Sequence, residues 1–87
     1  MDAELKKKWV AALRSGEYRQ GKHMLLDSNT NSYCCLGVLC VAAGKEPDSE
    51  EYAWLDRVTG DYGLLVKLND DEDMPFPEIA DYIEANL

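Results

Sequence analysis

Eighty-seven residues, 46% of them hydrophobic, suffice for one domain (residues 1–87) with a core, and exclude a long disordered tail. Seventeen Asp and Glu against nine Lys and Arg leave a net charge of −8. That balance argues against direct nucleic-acid binding, which depends on Lys and Arg neutralising phosphates, and favours a partner with a basic surface.

In chain order, Asp2 is placed to cap a helix over residues 3–14, with Leu5, Trp9, Ala12 and Leu13 on one face and Ser15-Gly16 as the stop. The segment GEYRQGKHMLLD reads as extended. The turn formers Asp27 to Ser32 then predict a small β-hairpin near residues 22–34. From Cys34 to Ala43 every residue is apolar or Gly, which predicts a buried central helix with Ser32 as N-cap and Gly44 just past its end. Ser49 opens a short helix through Arg57, with Trp54 and Leu55 turned inward. Residues 64–68, LLVKL, fit helix or strand equally, and NDDEDMPFP reads as a loop. The last helix carries Pro77 in its first turn and Ile79, Ala80, Ile83 and Leu87 on its apolar face. The expected fold is α+β and mainly helical: amphipathic N- and C-terminal helices around a buried Cys-rich helix, with a small hairpin.

No run is apolar for long enough to span a bilayer, and the amphipathic start MDAELKKKWVAAL lacks the apolar stretch of a signal peptide. Three cysteines, an odd number, then read as reduced thiols in a cytoplasm. Cys34, Cys35 and Cys40 with His23 are a chemically acceptable zinc set. The spacing lacks a C-x-x-C pair, so buried structural cysteine is the expected role, with no metal and no cofactor. A Cys-His nucleophile is disfavoured because no oxyanion element accompanies the single His, and no enzymatic activity is expected. The run Asn69 to Asp73 alternates oxygen ligands but carries Met74 where a calcium loop needs Gly.

Charge is segregated. Residues 1–22 carry +3, residues 23–67 carry −4 and residues 68–87 carry −7. The acidic end supplies the first candidate surface, in which Asp70, Asp71, Glu72 and Asp73 lie in a loop and Glu78, Asp81 and Glu84 share the outward face of the last helix. Arg14, Arg19, Lys22 and His23, near Gly16 and Gly21, form the second, a candidate anion site for a small nucleotide. The oppositely charged ends also suit each other as internal ion pairs.

The blocks WVAALRSGEYRQG, YCCLGVLC with Ala43-Gly44, LND at 68–70 and EIADYIE at 78–84 resemble a family of small proteins encoded by tailed phages and prophages. The resemblance covers about two-thirds of the chain and departs from Lys45 to Gly63. It implies a non-enzymatic accessory protein in a bacterial host cytoplasm that binds and inhibits a host or defence factor. A nucleotide-sequestering protein and a DNA mimic are the alternatives.

Overall fold

The structure is a computed structural model and describes residues 1–87. It is α+β and mainly helical, as the patterning predicts. Helix α1 (Ala3–Arg14) begins where the Asp2 carboxylate accepts the Leu5 N–H at 2.8 Å, and it ends before Gly16, whose φ is +76°. Its inward stripe is Trp9, Val10 and Leu13, all buried, while Leu5 and Ala12 are half-buried beside them. Val10, on no predicted face, is drawn into the core.

Three two-residue strands follow: β1 (Arg19–Gln20), β2 (Leu26–Asp27) and β3 (Ser32–Tyr33). The predicted hairpin is the antiparallel pair β2–β3, with Leu26 opposite Tyr33 and Asp27 opposite Ser32. An unpredicted third strand, β1, lies parallel to β3 on its other side, pairing Arg19 with Ser32 and Gln20 with Tyr33. Ser32 is therefore a buried strand residue and not the helix cap. Its hydroxyl is taken by the Thr30 hydroxyl at 2.7 Å, and extended Cys34 occupies the cap position with no side-chain bond.

Helix α2 (Cys35–Ala42) is the buried centre. Cys35 through Cys40 are all buried, and the helix ends at Gly44 (φ +75°). Gly37 has a packing reason: a methyl group there would run into the backbone carbonyl of Leu25. A 3-10 turn (Ser49–Glu51) opens at Ser49 as predicted and leads into α3 (Tyr52–Thr59), and Asp48 caps that turn, accepting the Glu50 N–H at 3.0 Å. Leu55 is fully buried. Trp54 is only half-buried, and the Lys45 ammonium lies 4.8 Å from its ring centre.

Residues 64–68, ambiguous by pattern, are helical in α4 (Tyr62–Asp70), and so are Asn69 and Asp70, which sequence places in a loop. Helix α5 (Phe76–Asn86) buries Phe76, Ile79, Ala80 and Ile83, leaving Leu87 half-buried. The terminal helices pack on each other most extensively, with α2 and α4 completing the core.

Candidate functional site: the Asn69–Asp70 node and its crevice

Asn69 is fully buried, and all four of its amide hydrogen-bonding positions are filled. Its Oδ1 accepts from the Cys35 backbone N–H at 3.2 Å and from Gln20 Nε2 at 3.0 Å. Its Nδ2 donates to the Gly21 carbonyl and to Asp70 Oδ1, each at 2.8 Å. Gln20 extends the network: its amide also donates to the Met74 carbonyl at 2.8 Å and its Oε1 accepts the Phe76 N–H at 3.1 Å. One node thus ties β1, α2, α4 and the start of α5 together. Sequence reasoning missed both residues as site elements. The available signal was that Gln20-Gly21, Cys34-Cys35 and Leu68-Asn69-Asp70 all fall in the distinctive sequence blocks singled out above, and these blocks meet here.

Beside the node lies a crevice of about 70 Å³, walled by Tyr52, Tyr62, Val66, Met24 and Cys34, with Asp70 contributing the carboxylate. The Tyr52 and Tyr62 rings meet edge to face at 5.6 Å, and burial raises both phenols above their ordinary range. The Asp70 side chain is 10% exposed; its Oδ2 faces His23 Nδ1 at 3.5 Å, while His23 is 74% exposed. A second hollow, of about 280 Å³, shares His23, Met24, Leu25 and Tyr52 and reaches Asp48. Met24 and Tyr52 are two of the three exposed large hydrophobic side chains, so the apolar surface concentrates here.

The two predicted charge clusters pair with each other in part. Arg14 reaches Asp81 and Glu84, each at 2.7 Å; these contacts raise the guanidinium pKa and hold the Glu84 carboxyl below its usual range. Lys22 pairs with Asp73. With His23 against Asp70, Arg19 is the one predicted anion ligand without an ion pair. Of the acidic candidates, Asp71, Glu72 and Glu78 keep exposed carboxylates without a cation. On the outward face of α5, Glu78 carries no internal cation, while Asp81 and Glu84 share Arg14 and stay 71% and 54% exposed.

The three cysteines are buried and form no disulfide. At Cys34 the backbone N–H groups of Gly37 and Leu36 lower the thiol pKa, as a helix start does, but burial outweighs them and the net shift is upward. Burial pushes Cys35 well up and Cys40 to about 11, so none is poised as a nucleophile at neutral pH. No group of three His, Cys, Asp or Glu side chains is arranged to hold a metal ion. No helix is long and apolar enough to cross a membrane.

Fold and node together define a small α+β, mainly helical protein with one buried polar network and one acidic, aromatic-walled crevice. Residues 1–63 match the family described as Domain of unknown function (DUF8296), and the chain belongs to that family. The match takes in β1, the Cys-rich helix and Tyr52; Asn69 and Asp70 lie beyond it. No curated protein and no solved structure matches the chain.

Proposed function

We propose that this is a non-enzymatic binding protein that engages a basic surface of a partner protein. The observation that carries the reading is the concentration of exposed Met24 and Tyr52 around a crevice whose carboxylate is Asp70. Apolar side chains left in water beside a shaped hollow mark docking sites, and carboxylates around them select a cationic partner. Asp71 and Glu72 extend the negative surface from the same end of α4. In the phage-type setting implied by the sequence blocks, the partner is a host or defence factor that the protein inhibits in the bacterial cytoplasm. The nucleotide-sequestering alternative is less supported, since Arg14, Lys22 and His23 each already face a carboxylate.

The test begins with co-purification from bacteria expressing the chain, with mass spectrometry to identify the bound protein. Association is then followed by stopped flow for the wild type and for a variant carrying Asp71→Asn, Glu72→Gln and Glu78→Gln. These three carboxylates have no internal partner, so the fold should tolerate their loss. The variant should associate more slowly at low salt, with the difference shrinking as salt screens exposed charge over about 8 Å at physiological ionic strength. Equal on-rates at low salt would rule out the acidic-surface reading.

A further inference from the structure

We propose that the crevice beside Asp70 receives a single cationic side chain, a lysine or arginine of the partner protein, and that His23 stands in its place in the free protein. The inference rests on the binding reading and names the group that the site recognises.

Size is the first argument. Drug-sized ligands occupy pockets of about 300–1,000 Å³, whereas the crevice holds about 70 Å³, room for one side-chain head group. Chemistry is the second. Asp70 Oδ1 is fixed by Asn69, itself locked by three further hydrogen bonds, so Oδ2 is held in a set position toward the crevice. Oδ2 of this 10% exposed carboxylate accepts no hydrogen bond within the protein, and its one cationic neighbour is His23. His23 is a poor partner: it lies 3.5 Å away, is mostly in solvent, and is charged only when protonated. The walls supply the third argument, since tyrosine rings attract a cation that carboxylate pairing alone would hold less selectively.

The neighbouring hollow explains why the cation belongs to a protein segment and not to a free small amine. It continues from His23 and Tyr52 past Met24 and Leu25 to Asp48, offering apolar surface and then a second carboxylate. This pattern complements a chain segment with one basic residue in the crevice, an apolar residue on Met24, and a second basic residue near Asp48.

The proposal is tested by NMR titration of the isotope-labelled protein, which needs no identified partner. The probes are a short peptide with two arginines flanking a leucine, the same peptide with lysines, and a control with norleucine in place of both cations. Saturable shifts are expected at Met24, Tyr52, Tyr62 and Asp70 with the first two probes and not with the third. Asp70→Asn should weaken binding about tenfold or more, the loss of one charge-assisted contact. His23→Ala, at an exposed position, should tighten it by removing the resident competitor. Equal binding of the norleucine control, an Asp70→Asn variant that binds like wild type, or shifts located elsewhere would overturn the proposal. If Asp70→Asn fails to fold, His23→Ala decides alone: unchanged or weaker binding sinks the idea. Because this titration leaves Asp71, Glu72 and Glu78 untouched, its failure is distinct from equal on-rates in the partner experiment.

Discussion

Trp9 Nε1 donates to the Cys35 backbone carbonyl at 2.8 Å, and both residues are fully buried. The bond fixes the middle of α1 against the first turn of α2, so the ring is an anchor with a defined direction as well as apolar volume. Trp9→Ala should destabilise the protein by about 3–5 kcal/mol, as emptying a large core site does. Trp9→Phe keeps most of the volume and loses the donor, with an expected cost nearer 1 kcal/mol plus the smaller packing loss. Urea unfolding of the two variants separates the contributions. A Trp9→Ala melting temperature equal to that of wild type would show that this face is not part of the core.

Gly37 and Leu25 define how closely the hairpin approaches α2. Any Cβ at position 37 collides with backbone, which cannot rotate away as a side-chain tip can. Gly37→Ala should therefore cost at least the 1–3 kcal/mol or so typical of overpacking, despite the higher helix propensity of alanine. Gly44→Ala is the control: open space surrounds it, so only the left-handed backbone resists. Thermal denaturation should rank Gly37→Ala well below Gly44→Ala, and the reverse order would disprove the close approach.

Much of this fold is legible in local sequence. The Asp2 cap, the α1 stripe, the Gly44 stop and Pro77 in the first turn of α5 are short-range signals, and each sits where it should. Strand β1 lies in the segment read as extended, but its pairing has no local signal, because its partners lie thirteen residues further on and its two residues are both polar. LLVKL fits two periods, and only packing against α2 and α5 selects the helix. Asn69 is the instructive miss. An Asn followed by four acidic residues reads as solvated loop, and only the tertiary arrival of Gln20, Gly21 and Cys35 makes its burial affordable. The charge clusters were legible as residues and, from the +3 and −7 ends, as internal ion-pair partners; which cation meets which carboxylate was set only by the packing of the fold.

The node makes Asn69 a sensitive position. Asn69→Ala strands the Cys35 N–H and the Gly21 carbonyl, each worth about 1–3 kcal/mol when left buried and unpaired. Asn69→Asp keeps the shape but turns the donor end into a second carboxylate oxygen facing the Gly21 carbonyl and Asp70. Both variants should lose a large part of the stability of so small a domain, and the isosteric one should gain nothing from its shape. An Asn69→Asp protein with wild-type urea stability would refute the hydrogen-bond assignment.

Alkaline pH should probe the cysteine core directly. Burial, followed by the nearby Glu51 carboxylate, pushes the Cys40 thiol up to about 11, and burial moves Cys34 and Cys35 upward too. In the unfolded chain these thiols ionise near an ordinary cysteine value of about 8.5. Between roughly pH 9 and 11 the native state therefore holds protons that the unfolded state has released. Stability must then fall as pH rises, because its slope follows protons bound unfolded minus protons bound native, here negative. Tyr52, Tyr62 and Tyr82, also shifted upward, act with the same sign at the upper end of that range. The measurement is the urea midpoint from pH 7.5 to 10.5 under reducing conditions, for wild type and Cys40→Ala. The variant should start lower, having lost packing, and decline less steeply, having lost one linked proton. A flat wild-type profile, or rapid labelling of the native thiols by a bulky reagent at pH 8, would mean that these cysteines are not held in the interior.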